Sequence, residues 1–149
     1  MNTIIPNLWF DGNAKEAVDF YTSVFPHSKI TDTSYYPLEG LLEFQKPLAG
    51  KELSIGYELN GNSFVAINAG PEFKFNESVS FQITCEDQAE IDYYWEKLSV
   101  VPEAEQCGWC KDKYGLSWQI VPANMEELMK RPHAFEKMLE MKKIVIADF

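Results

Sequence analysis

The sequence predicts an α+β fold made of two copies of a strand–helix–strand–strand–strand (βαβββ) module, whose curved mixed sheets enclose a cleft. The first observation behind this is an internal repeat. Pro6-Asn7-Leu8-Trp9-Phe10, followed by Ala17-Val18-Asp19-Phe20-Tyr21, returns 73 positions later as Val79-Ser80-Phe81-Gln82-Ile83, followed by Glu90-Ile91-Asp92-Tyr93-Tyr94. A duplication of this size sets the architecture before any single element does. The second observation is a match at shorter offset, from Asn60-Gly61-Asn62-Ser63-Phe64 to Tyr114-Gly115-Leu116-Ser117-Trp118. The third is that a period-two stretch precedes a period-3.6 stretch in both copies, which lays one helix across one face of each sheet.

In chain order, Ile4 to Phe10 reads as a strand with Leu8 and Phe10 on one side and Asn7 and Trp9 on the other. Asp11-Gly12 turns the chain, and Asn13 with Glu16 predicts a capping box. The helix that follows carries Ala14, Ala17, Val18, Tyr21, Val24 and Phe25 on one stripe and stops at Pro26. Lys29–Tyr36, Glu52–Leu59 and Ser63–Ala69 are rich in strand formers, and Asn60-Gly61 is a two-residue hairpin signal. The turn-rich stretch from Pro37 to Gly50 predicts a mobile loop.

The second copy opens with Val79–Cys85, alternating Val79, Phe81 and Ile83 against Ser80, Gln82 and Thr84. Asp87 and Glu90 start its helix, with Ile91, Tyr94, Trp95 and Leu98 on the buried stripe. A hairpin turns at Lys113-Tyr114-Gly115 and returns over Leu116–Val121. Asn124 and Glu127 begin a last helical region broken by Pro132, and Lys143–Ile146 reads as a terminal strand or docking tail. The expectation is one domain over 1–149, with modules at about 1–70 and 77–122 and a helical region and tail at 123–149.

Composition narrows the class. Hydrophobic residues are 46% and aromatics 14%, ample for a core in 149 residues. A net charge of −10 repels phosphate backbones and anionic lipid, so neither nucleic acid nor membrane is expected as a partner. No apolar run nears the roughly 20 residues of a membrane span, and Met1–Pro6 lacks the basic start of a signal peptide. Three cysteines make no disulfide framework and suit a reducing compartment. A soluble cytoplasmic protein is the reading, and a homodimer is expected to cover the edges that two curved sheets leave open.

If Leu8, Phe10, Phe81, Ile83, Leu116, Trp118 and Ile120 pack on helices, the alternate side chains point into the cleft. Those are Asn7, Trp9, Ser80, Gln82, Ser117 and Gln119, with Ser63, Val65 and Ile67. Polar groups on central strands need partners, so this set signals a cavity. Asn7, Trp9, Ser80, Gln82 and Gln119 are the ligand-binding candidates for a small organic molecule; no catalytic residue is named.

Pro6-Asn7-Leu8-Trp9-Phe10-Asp11-Gly12-Asn13-Ala14, Phe20-Tyr21, Phe25-Pro26 and the duplication resemble the glyoxalase/bleomycin-resistance, or vicinal-oxygen-chelate, superfamily. Gly108-Trp109 and Asp112-Lys113-Tyr114-Gly115-Leu116-Ser117-Trp118-Gln119-Ile120-Val121-Pro122 look like its PhnB-like branch, which often carries the domain name 3-demethylubiquinone-9 3-methyltransferase. The resemblance implies paired βαβββ modules around a cleft and, in the superfamily's metal enzymes, a divalent ion acting as Lewis acid on two neighbouring substrate oxygens. Carried onto this chain, the ligand positions are Ile5, Val65, Ser78 and Gln119, none of them His, Asp or Glu. No metal and no cofactor are therefore expected. A metal-dependent lyase, isomerase or dioxygenase, and the methyltransferase of the branch's name, are the alternatives to a binding protein. No Gly-rich strand-to-helix loop supports the last.

Other constellations read more plainly. Cys107-Gly108-Trp109-Cys110 has redox spacing but is followed by a hairpin rather than a helix whose N-terminus could lower a thiol pKa. His27 and His133 each follow a proline at a helix boundary and read as solvated residues. Glu43, Glu52 and Glu58 are candidate bases only if one faces the cleft. Tyr35, Tyr36, Tyr57, Trp109 and Trp118 are candidate stacking groups.

Overall fold

The computed structural model describes residues 2–149; Met1 lies outside them. The α+β class holds, with a four-stranded and a three-stranded sheet. Two compact units divide the chain, Met1–Lys74 and Phe75–Phe149.

In the first unit β1 (Asn7–Asp11), α1 (Ala14–Val24), β2 (Lys29–Tyr35), β3 (Glu52–Leu59) and β4 (Asn62–Ala69) realise the βαβββ plan, in sheet order β1-β4-β3-β2. Parallel pairing sets Asn7 against Val65 and Trp9 against Ile67, while the β3–β4 hairpin turns at Asn60-Gly61, both at positive φ. The stripe of α1 is buried as its spacing dictates: Ala14, Ala17, Val18, Tyr21 and Val24 meet Leu8, Phe10, Ile55, Tyr57 and Ala66 in the core. Strand β2 lies at the sheet edge, carries a register irregularity between Ile30 and Asp32, and is exposed along almost its whole length. The 37–50 stretch contains a 3-10 helix over Glu43–Leu48.

The capping box at Asn13 does not form. Asn13 sits at φ −116°, ψ 26°, outside the extended backbone a cap requires, and its side chain caps nothing. The Ala14 amide donates instead to Asn68 Oδ1 at 3.1 Å, supplied by β4. Buried Asn68 also donates to the Glu52 carbonyl at 2.9 Å and accepts at its own carbonyl from the Tyr36 hydroxyl at 2.6 Å. One amide thus fastens the helix start to two strands.

The second unit runs β5 (Ser80–Cys85), α2 (Gln88–Leu98), β6 (Trp109–Lys111) and β7 (Ser117–Pro122), in sheet order β5-β7-β6, followed by the short α3 (Met125–Leu128) and α4 (Ala134–Leu139). The place of β2 is taken by a 3-10 turn, Pro102–Ala104, and a single bridge between Gln106 and Trp109. Here the expected cap forms: Asp87 accepts from the Glu90 amide at 2.9 Å, and Glu90 accepts from the Glu86 amide at 2.8 Å.

The register also corrects the shorter-offset repeat. Leu8 pairs with Ala66, and Phe81 pairs with Trp118. Trp118 therefore stands where Ala66 stands, two residues beyond the Phe64 suggested by the sequence match. A shift of two leaves every side chain on its expected face.

The β6–β7 hairpin closes around Asp112, a carboxylate only 1% exposed. It accepts from the Tyr114 amide at 2.8 Å, the Leu116 amide at 3.1 Å and the Trp118 indole N–H at 2.8 Å. Gly115, at φ +87°, supplies the left-handed residue this turn needs. The segment after α4 docks rather than adding a strand: Gln88 donates to the Ile144 carbonyl at 3.0 Å and accepts from the Ile146 amide at 2.8 Å, and Ile144 is fully buried. The amides of Cys107 and Gly108 bond the Met141 and Lys142 carbonyls, both at 2.8 Å. The Cys107-to-Cys110 stretch is thus a docking turn. Burial pushes the Cys85 and Cys110 thiols up to about 12, and the pair Cys107/Cys110 is not bonded.

Three outcomes follow from this packing. Asp112→Ala orphans three donors, two of them buried, and should lower unfolding free energy by about 3 kcal/mol in a denaturant titration. Asn68→Ala should cost about 2 kcal/mol, whereas Asn13→Ala should stay within a few tenths, because only the first removes a cap. Under native conditions at neutral pH a thiol-reactive dye should label one cysteine, the half-exposed Cys107. Cys85 and Cys110 should react only after unfolding.

Candidate functional site

Strand register decides which side chains share a face. In the first unit, the face away from α1 carries a row Asn7, Val65, Gly56, Asp32 and a row Trp9, Ile67, Ser54, Ser34. Asn7 is exposed and donates to the Ile5 carbonyl at 3.0 Å. Trp9 spends its indole N–H on the Gly70 carbonyl at 2.8 Å, and its ring meets Phe73 edge-on at 4.9 Å between centroids. The Ser34 and Ser54 hydroxyls bond each other at 2.6 Å. A Cβ at Gly56 would collide with the Asp32 carboxylate, which lies across that backbone. This face is apolar at its centre and already internally satisfied.

The second unit differs. On the face away from α2, the first row is Ser80, Ser117, Lys111 and the second is Gln82, Gln119, Trp109. Gln119 donates to the Ser80 hydroxyl oxygen at 2.9 Å. Gln82 is exposed, with only a long contact of 3.4 Å to Thr84. Ser117 is 1% exposed, and its hydroxyl has no hydrogen-bond partner. The Lys111 side chain is 23% exposed and pairs with Glu77, and its hydrogen bond holds the Glu77 carboxyl below the ordinary carboxylate range.

Three of the five sequence candidates, Ser80, Gln82 and Gln119, thus share one face of one unit, while Asn7 and Trp9 belong to the other. Lys111 and Glu77 were not foreseen, since a lysine four residues before a turn glycine carries no pattern of its own. Only the register, which sets Lys111 opposite Ser117, brings it to the face. Of the stacking candidates, Tyr36, Tyr57 and Trp118 are core residues, Tyr35 is exposed, and half-buried Trp109 is on the polar face. His27 and His133 are exposed, both at positive φ. Glu43 pairs with Lys46 at 2.6 Å on the surface. Glu58 shares the open face of the first sheet but has Lys29 at 3.9 Å.

Register also bears on the superfamily's metal. Val65 pairs with Asn7, but Gln119 pairs with Gln82, so Val65 and Gln119 are not equivalent positions. The symmetric sets are Asn7, Val65, Ser80, Ser117 and Trp9, Ile67, Gln82, Gln119, and neither contains His, Asp or Glu. No group of three or more His, Cys, Asp or Glu able to hold a metal occurs among the described residues. Neutral amides and hydroxyls cannot offset the dehydration of a divalent transition ion, so these residues do not fit one. Among the described residues no helix is long and apolar enough to cross a membrane.

Comparison with known proteins places this geometry. Residues 2–121 match the family described as 3-demethylubiquinone-9 3-methyltransferase. The PhnB protein from Bacillus cereus, which bears the same description, is 34% identical; the alignment covers 82% of this chain and 100% of that one, with a TM-score of 0.66. Protein PA1353 from Pseudomonas aeruginosa shares the fold at 17% identity, 82% and 98% coverage and a TM-score of 0.58. The fosfomycin resistance protein FosX from Listeria monocytogenes does so at 15% identity, 87% and 98% coverage and a TM-score of 0.54. No curated protein matches the chain. Family match, identity and duplicated sheet plan agree, and the chain belongs to the PhnB-like, 3-demethylubiquinone-9 3-methyltransferase family of the glyoxalase/bleomycin-resistance superfamily.

Proposed function

We propose that this chain is a small-molecule binding protein, and that the polar face of its second sheet supplies the ligand's hydrogen bonds. The observation that carries this is Ser117. A buried hydroxyl without a partner costs about 1–3 kcal/mol, and native proteins rarely leave one. Its neighbours in the row, Ser80 and Lys111, add two further donors, and Trp109 adds a flat ring beside Gln119. A ligand rich in acceptor oxygens answers that arrangement.

Chemistry of the metal-enzyme kind has no support in the donor sets. Nor does methyl transfer with a nucleotide-derived cofactor held at a helix N-terminus: the Ala14 amide that opens α1 is taken by Asn68, and in the first turn of α2 the Glu90 amide is taken by Asp87. The proposal keeps the expected contribution of Asn7 and Trp9, and with it the cleft the duplication implies. It also keeps a cytoplasmic homodimer as its setting.

A fragment screen read by amide chemical shifts tests the proposal. Oxygen-rich fragments should perturb the amides of Ser80, Lys111, Ser117 and Gln119. Gln119→Ala should weaken binding about tenfold, since one hydrogen bond is lost and Ser80 is left without its donor. Metal analysis of tag-free protein should find no stoichiometric divalent ion. Fragments that perturb only residues elsewhere, or one equivalent of ion lost on Gln119→Ala, would overturn the reading.

A further inference from the structure

Lys111 is the one charged side chain among Ser80, Gln82, Ser117, Gln119, Trp109 and itself, in a chain of net charge −10. Its side chain is 23% exposed, and the ammonium end is held by a carboxylate. The partner is Glu77, on the segment before β5, whose own side chain is 62% exposed. Glu77 is presented by a local turn in which Asn76 Oδ1 accepts from the Ser78 amide at 2.8 Å and hydroxyl at 2.6 Å. The carboxylate on Lys111 thus arrives from outside the row, on a short exposed arm, while the row's own hydroxyl at Ser117 stays unanswered.

The hydroxyl of Ser80 accepts from Gln119, so its proton remains to be given. Ser80, Ser117 and Lys111 stand in one row across three strands, roughly 10 Å from end to end at ordinary strand spacing. All three can donate to a ligand. From this we infer that the ligand of this face carries a carboxylate. Lys111 receives it together with the Ser80 and Ser117 hydroxyls, and Glu77 is the built-in carboxylate that holds the place until the ligand displaces it. A planar monoanion is favoured over phosphate because it matches the group it replaces and because a single ammonium neutralises one charge. This inference rests on the ligand-binding reading above.

Benzoate, neutral benzamide and inorganic phosphate serve as probes, with amide shifts and calorimetry as readouts on the full chain. Benzoate should shift the amides of Ser80, Lys111 and Ser117, and benzamide should do so far less. Glu77→Gln removes the internal competitor and should tighten benzoate about threefold, the scale of a half-exposed ion pair. Ser117→Ala should weaken it about tenfold. Lys111→Met should abolish the shifts and Lys111→Arg should keep them, the second variant guarding against a loss caused by misfolding. Benzoate shifts that survive Lys111→Met, or no benzoate effect in either wild type or Glu77→Gln, would overturn the inference. Phosphate binding tighter than benzoate would overturn the choice of carboxylate. If benzamide shifts the same amides as strongly as benzoate, the anion inference fails while the ligand-binding reading stands; if no probe or fragment perturbs the face, both fail.

Discussion

The second sheet depends on one buried carboxylate. β6 is only three residues long, too short to hold register by its own ladder, and it is Asp112 that fixes where the chain turns back. By taking two turn amides and the Trp118 indole, the carboxylate ties the turn to the first core residue of the return strand. A slip of one residue would send Ser117 and Gln119 into the core and Trp118 out of it. The polar face therefore exists because Asp112 is satisfied. The carboxylate can stay buried there because three N–H donors meet it.

The duplication shows what a βαβββ unit can lose. In the first copy β2 is an exposed edge that contributes little to the core, so its counterpart could be dropped at small cost. The edge of β6 that results is covered locally, by the Val100 amide on the Lys111 carbonyl and by the Gln106–Trp109 bridge. The chain beyond α4 supplies further cover. Gly108, at φ +87°, lets the turn approach so closely that a Cβ there would meet the Ile120 carbonyl at 2.9 Å. The Met141–Lys142 backbone then completes the hydrogen bonds of that turn.

Much of the fold was legible because periodicity and repetition are properties of the sequence itself. The helix stripes, the Asn60-Gly61 hairpin and the inward set on β5 and β7 all follow from spacing. Where reading failed, the cause was non-local. Asn13 and Asp87 look alike as cap residues, yet only Asp87 caps, because in the first copy Asn68 reaches Ala14 from a strand 54 residues away. Lys111 became part of the site through its pairing with Ser117, and Tyr36 was lost to the core because its hydroxyl fastens β4. Pairing partners decide such roles, and composition does not encode them.

Register gives the duplication its last consequence. Gly56 and Lys111 occupy equivalent places, as do Val65 and Ser117, Ile67 and Gln119, and Trp9 and Gln82. Every one of these pairs joins an apolar or side-chain-free residue in the first copy to a polar one in the second. A metal shared symmetrically by two copies needs like ligands at like positions. Here divergence has run the other way, leaving one face satisfied within itself and the other with an unanswered hydroxyl and a screened ammonium. Such a molecule has kept the scaffold of the superfamily while gathering a half-buried lysine and an unanswered hydroxyl on one face of its second sheet.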